Sequence, residues 1–280
     1  MKHPISILIF LISTSLFFAC SKVDEPSPRV KLTTINISLL YYEEMDTELN
    51  PYPSYSNIVY DKDFKNSIDI LYDNNNQIIG TNYGATRYHA GTNMSFLVIS
   101  KSNVNKIQFK GDTVYTESCY PYTTYPDTTK YLIKDGKLIE RRECRRFDSQ
   151  SPIYERIFKY TYSSNKIIET NNDLQTTIIH LNNSNVERIE RFQYDISKEI
   201  YSKTEYIYSD YDQSINLLKG LYYIHGAFNN AFSANNYRKS SLNIYSVSNN
   251  QLTLKSSTNE TTNFRVDANN IPDLFGYEYY

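Results

Sequence analysis

The sequence predicts an all-β fold: a large twisted antiparallel sheet of repeated hairpins, with a short helical or loop insert near 213–240. Three observations predict it. The first is composition, with 28 Tyr and 13 Phe, no Trp and only 8 Gly in 280 residues. Aromatic residues fit a pleated, half-buried surface. The second is alternation. Tyr160-Thr161-Tyr162 leads into the polar break Ser163-Ser164-Asn165, and Ile167-Ile168 resumes. Period two, a turn and a β-branched return read as a hairpin. The third is recurrence. An apolar or aromatic residue before a turn is followed by an apolar residue five positions later. This links Ile133 to Leu138, Tyr162 to Ile167, Leu181 to Val186, Val247 to Leu252 and Val266 to Ile271, and Tyr72 to Ile78 with one extra residue. The uneven intervals make a meander with insertions, not a solenoid.

Taken in order, Lys31 to Tyr42 is rich in Ile, Leu, Thr and Tyr and reads as the first strand. Glu43 to Ser56, with Pro51 and Pro53, is a long loop. Ile58 to Tyr60 is a short strand, and Ile68 to Tyr72 a better one that turns at Asp73-Asn74-Asn75-Asn76. Gly84 to Gly91 reads as a second loop, and Met94 to Ile99 as a buried strand. Ile107 to Val114 forms a hairpin around Gly111, which supplies a positive φ. Two prolines keep Tyr120 to Asp127 a loop. Asp135-Gly136 between two apolar runs predicts a type I′ hairpin turn. Glu140 to Arg146 carries charge on both faces, so it reads as a strand that is solvated on both sides or lies at an edge. A basic patch for an acidic glycan or phosphate is the functional alternative there. Gln213 to Ser240 loses period two, and Gly220 and Gly226 interrupt any long helix. This insert reads as a cover over apolar sheet, or as a lid on a ligand pocket.

The N-terminus is an address. Lys2 and His3 precede an apolar run from Ile5 to Phe18, too short for a membrane span. Phe17-Phe18-Ala19-Cys20 resembles a bacterial lipobox, with Phe where Leu is usual. The resemblance implies a signal peptide over 1–19 and acylation of Cys20, which anchors the chain to the outer membrane. Residues 20–29, charged and Pro-containing, read as a tether, and 30–280 as a single β-sheet domain. Lys22-Val23-Asp24-Glu25 is similar to the surface-export signal of Bacteroidota lipoproteins. Periplasmic retention is the alternative.

A formal charge of -2 gives no global basic field, so nucleic acid is not an expected partner. After cleavage Cys119 and Cys144 remain, with a mutual disulfide or two buried free thiols as the options. His89, His180 and His225 lack ligand spacing, so no metal or other cofactor is expected. No nucleophile elbow, P-loop or dinucleotide fingerprint occurs. Glu43-Glu44 could serve glycoside hydrolysis only if a fold placed them across a cleft.

Tyr72-Asp73-Asn74-Asn75-Asn76-Gln77-Ile78 is similar to the YD-repeat unit of Rhs-type β-sheet proteins, with Asn where Gly usually closes the turn. The stretch Tyr206-Ile207-Tyr208, the insert from Asn216-Leu217-Leu218 to Phe232-Ser233-Ala234-Asn235-Asn236, and the tail Gly276-Tyr277-Glu278-Tyr279 resemble an uncharacterised family of Bacteroidota lipoproteins. That resemblance spans roughly residues 60–280 and implies a twisted sheet without a known activity. Asp112-Thr113-Val114 and Asp127-Thr128-Thr129 match the Bacteroidota O-glycosylation pattern, which makes Thr113 and Thr128 candidate modification sites. Two function classes follow. The first is a non-catalytic envelope lipoprotein that binds a glycan or an envelope protein, or serves as scaffold. The alternative is a glycan-directed envelope hydrolase with dispersed carboxylates.

Overall fold

The computed structural model describes residues 30–36, 58–60, 67–82, 84–90, 94–100, 104–119, 127–145, 152–171, 175–224, 227–248 and 251–279. At 58–60, 84–90, 94–100, 118–119, 127 and 145 the backbone alone is described. Leu32–Tyr277 form one compact unit.

The chain forms strands β1 (Val30–Asn36), β2 (Ile58–Tyr60), β3 (Ser67–Tyr72), β4 (Ile78–Thr81), β5 (Gly84–Ala90) and β6 (Met94–Ser100). There follow β7 (Val104–Lys110), β8 (Thr113–Cys119), β9 (Asp127–Lys134), β10 (Lys137–Arg145), β11 (Tyr154–Tyr162) and β12 (Lys166–Asn171). The last are β13 (Gln175–Asn182), β14 (Asn185–Tyr194), β15 (Ile200–Ser209), β16 (Lys239–Ser248), β17 (Gln251–Thr261) and β18 (Phe275–Tyr279). Fifteen of them make one open sheet in the order β17-β16-β15-β14-β13-β12-β11-β10-β9-β8-β7-β4-β3-β1-β18. β2, β6 and β5 make a second sheet, in which β2 and β6 run parallel. Gly84–Ala90 is thus a strand and not the expected loop, because its backbone pairs in antiparallel register with β6 from Gly84↔Ser100 to Ala90↔Met94.

The five-residue spacing has a simple cause. Ile133↔Leu138, Tyr162↔Ile167, Leu181↔Val186 and Val247↔Leu252 are cross-strand partners that flank tight turns. Asp135 and Gly136 both take positive φ, at 51° and 71°, as a type I′ turn requires. Asn183 and Ser184 do the same without glycine. A longer turn recurs at Asp73, Asp195 and Asp267. Each Asp Oδ1 accepts the N–H groups two and four residues on, at 2.8–3.0 Å. Each turn closes on a left-handed residue, Asn76, Lys198 or Asn270. This six-residue spacing pairs Tyr72 with Ile78 and Tyr194 with Ile200. It also pairs Val266 with Pro272, not with Ile271 as the five-residue rule expects.

The sheet cannot be flat. Fifteen strands put fourteen steps of ~4.8 Å, about 67 Å, between β17 and β18. The thirteen residues 262–274 that join them reach no more than ~48 Å. The sheet therefore curls, and the link lies along the insert, where the Ile215 N–H donates to the Asn270 carbonyl at 2.8 Å.

Among the described residues there is no α-helix. The described residues of the insert between Ser209 and Lys239 are irregular chain with a 3-10 turn at Asn230–Phe232. Its Tyr222, Ala231, Phe232 and Tyr237 are buried against Phe158, Tyr160, Ile179 and Tyr208 of the sheet. Irregular backbone can be buried only if its polar groups find partners. Side-chain amides supply them. Asn216 Nδ2 donates to the Asn230 and Ser233 carbonyls at 2.8 and 2.9 Å, and its Oδ1 accepts the Leu218 N–H at 3.0 Å. Asn235 and Asn185 exchange two hydrogen bonds, and Asn236 Nδ2 donates to Ser214 and Ile215. Tyrosine hydroxyls do similar work, those of Tyr162, Tyr222 and Tyr211 donating to the Leu138, Gly136 and Val186 carbonyls. A Phe at these sites would leave those carbonyls without that donor.

Asn216→Ala removes three buried hydrogen bonds at once and should destabilise the protein by about 3 kcal/mol. Urea unfolding checks this. A midpoint equal to that of the wild type would mean that the amide does not hold the insert.

Candidate functional site

Successive strand residues face opposite ways, so the registers sort the side chains of the large sheet. Val114, Tyr131, Arg141 and Phe158 are successive partners on the covered face. Lys110, Thr113, Leu132, Glu140, Lys159 and Thr170 are successive partners on the other. The described core residues of the insert pack on the first face, whereas on the second Lys106, Lys110, Lys130 and Lys159 are exposed, which makes it the accessible one.

The strand expected at Glu140–Arg146 to be solvated on both sides or at an edge is neither over its described residues, because β10 lies between β9 and β11 and its residues 140–144 are half-buried. Its charges divide. Arg141 is on the covered face with its guanidinium between the rings of Phe158 and Phe228, at 4.1 and 4.4 Å. Glu169 is buried beside it. Glu169 accepts from Tyr160 at 2.5 Å and Thr177 at 2.9 Å, and lies 3.5 Å from Arg141. Burial opposes the charge on Arg141, but Tyr160, Glu143, Glu169 and Tyr131 outweigh it and hold its pKa above the usual value. Burial raises the Tyr160 hydroxyl well above its ordinary range, against the pull of Arg141. A guanidinium stacked between rings is an apolar filler with a charged rim, which is how a charged strand can serve a core.

On the accessible face Glu190 and Glu205 are direct cross-strand partners. Lys203 bridges them at 2.7 and 3.0 Å. His180 Nε2 meets Glu190 at 2.6 Å, and Asn243 and Tyr245 donate to Glu205 at 3.3 and 3.2 Å. Arg188 lies within 4.0 Å of both carboxylates. Burial would raise the two carboxyls, but hydrogen bonds and charge, chiefly from Lys203, hold both below the usual Glu value. Farther across the same face Arg142 meets Glu140 at 2.9 Å and Glu155 at 3.5 Å, while Lys110 and Lys130 lie over the Tyr115 ring at 5.1 and 5.8 Å.

Cys144 is a free thiol on the accessible face, 3.7 Å from Glu155. Burial and Glu155 raise its pKa. Of the two options for Cys119 and Cys144, the mutual disulfide is not the one found, because β9 runs between β8 and β10, and the free Cys144 thiol is half-buried. Two strand spacings, ~9.6 Å, exceed the ~7 Å that a disulfide spans between Cα atoms. Thr113 and Thr128 sit half-buried on the accessible face, Thr113 beside the Gly111-Asp112 turn and Thr128 between Glu117 and Cys144. Cys20, Glu43, Glu44 and His225 lie outside the described residues, and His89 is described by backbone alone. No group of His, Cys, Asp and Glu among the described residues is arranged to hold a metal ion. The Glu190–Lys203–Glu205 network escaped the sequence analysis. Alternation marked its residues as one face, but only the register of β14 on β15 brings the two carboxylates together.

A lowered folded pKa makes stability that is present above the ordinary Glu value and lost as pH falls through the lowered ones. Stability should therefore drop on acidification from about pH 4.3 downward. Lys203→Met removes the main cause, so the variant should be less stable at pH 7 and lose less on acidification. Denaturant titrations from pH 7 to 2.5 check this, and parallel curves for the two proteins would rule it out.

No family model matches the chain, and no curated protein does. Among solved structures it is similar to a porin-like protein from Bacteroides vulgatus ATCC 8482. The identity is 12% and the TM-score 0.40, over 79% of this chain and 93% of that one. It is also similar to a porin-like protein from Bacteroides uniformis ATCC 8492, at 12% identity and TM-score 0.35, over 70% of this chain and 88% of that one.

Proposed function

We propose that the chain is a cell-envelope lipoprotein, anchored in the outer membrane through Cys20, whose sheet is a non-catalytic module that binds a glycan or an envelope protein. The observation that carries this reading is the division between the two faces. Aromatic residues of the insert are buried against one face, and the opposite face is left accessible with charged, hydroxyl and aromatic side chains in cross-strand rows. A broad polar and aromatic surface suits recognition of an extended ligand. The address rests on the apolar run that ends at Ala19-Cys20. Thr113 and Thr128, if glycosylated, would place sugar on the accessible face too.

A hydrolase would find its best carboxylate pair in Glu190 and Glu205. Glycoside hydrolysis needs one carboxyl kept protonated as the acid. Lys203 holds both below the ordinary range, which favours binding over turnover at this pair.

Two measurements test the proposal. A fatty-acid probe fed to cells should label the protein and not its Cys20→Ala variant, and label that persists in the variant removes the anchor. The full chain in detergent should bind members of a glycan or envelope-protein panel without turning over glycoside or ester substrates. Turnover abolished by Glu190→Gln or Glu205→Gln would replace binding with catalysis.

A further inference from the structure

Several exposed lysines of the accessible face have no carboxylate partner among the described residues: Lys134 and Lys166 at hairpin ends, and three that line up across the sheet. Lys106 pairs with Glu117 at 3.5 Å, and Arg142 takes both Glu140 and Glu155. The carboxylates on β8, β10 and β11 are therefore engaged. Lys110, Lys130 and Lys159 are exposed and have no carboxylate partner among the described residues. Glu140 is the direct cross-strand neighbour of Lys159, yet its carboxylate turns to Arg142. The three lysines stand on β7, β9 and β11, every second strand, so neighbours are ~10 Å apart across the sheet. Lys110 and Lys159 belong to one cross-strand row, and Lys130 is opposite Tyr115 in the next. The half-buried Tyr115 ring lies beneath the ammonium groups of Lys110 and Lys130.

We propose that Lys110, Lys130 and Lys159, with Tyr115 between the first two, form a stripe that binds an anionic polysaccharide running across β7 to β11. The inference rests on the binding reading above and names its ligand class. Each lysine meets one carboxylate of the polymer, and the phenol hydroxyl and ring of Tyr115 take a sugar hydroxyl and an apolar ring edge. Charge spacing selects the polymer. Glu117, Glu140 and Glu155 neutralise Lys106 and Arg142 between the lysines, so the stripe offers separated charges and not the continuous positive field that suits duplex DNA, which carries a charge per ~1.7 Å of axis. A polymer with sparser carboxylates can place them on the lysines and keep neutral hydroxyls over the glutamates.

The test uses the full chain in detergent, with polygalacturonate, a neutral glycan panel and duplex DNA as probes. Polygalacturonate should bind at low salt and weaken as ionic strength rises. The combined Lys110→Gln, Lys130→Gln and Lys159→Gln variant should bind it at least about tenfold more weakly. Lys255→Gln, on the edge strand β17, should bind as the wild type does. These substitutions are on exposed side chains, and unchanged thermal unfolding confirms that the fold is intact. No binding of polygalacturonate, equal binding by the triple variant, or equally tight binding of DNA would each overturn the proposal. Neutral glycan or envelope protein bound while polygalacturonate is not would overturn this inference and leave the binding reading standing. Silence across all the panels removes both.

Discussion

The structure depends on giving a single-layered sheet a second layer. Strands bury apolar side chains only when something lies on them, and among the described residues what covers that face is neither a helix nor a sheet. The stretch from Ser209 to Lys239 supplies it as irregular chain, held by Asn216, Asn235, Asn236 and Ser233. The asparagines matter because an irregular segment brings unpaired N–H and C=O groups into the core. A side-chain amide both donates and accepts, so one residue can satisfy two or three of them. The segment also fixes the sheet's curvature, since residues 262–274 bond to it on their short path from β17 toward β1.

The same need explains the aromatic composition. Tyrosine fills the space between sheet and cover with its ring and reaches turn carbonyls with its hydroxyl, as Tyr162 and Tyr222 do near Asp135-Gly136. Arg141 extends this logic to a charged group. Its guanidinium is stacked by Phe158 and Phe228 and balanced by Glu143 and Glu169. Removing one member of such a cluster exposes the others to an uncompensated burial cost.

Covering one face leaves the other as the place for function. Its charges form two kinds of site. Glu190 and Glu205 are balanced by Lys203 and Arg188, and the network stiffens β13–β16 through bonds that cross four strands. Toward β7–β11 the pairing is incomplete, and lysines outnumber the carboxylates left to answer them. Structural and recognition roles thus separate along one surface according to whether the local charge closes.

Hairpin architecture was legible in the sequence alone because local physics decides it. Asp135-Gly136 and the five-residue spacing specify turn and partner within a few residues, and the Tyr-Asp phrase at 72–78 specifies a turn whose Asp caps two N–H groups. What escaped depended on distant contacts. Gly84–Ala90 looks like a loop until β6 supplies its hydrogen bonds. The Glu140–Arg145 strand looks solvated on both faces until Phe228, more than eighty residues away, covers Arg141. The Cys119–Cys144 pair looks plausible until β9 comes between. Glu190 and Glu205 are fifteen residues apart in the chain, and only the register of β14 on β15 makes them neighbours that share Lys203. Sequence determines which residues alternate and where the chain turns. Tertiary structure decides which face is covered, because burial is set by what arrives from elsewhere in the chain.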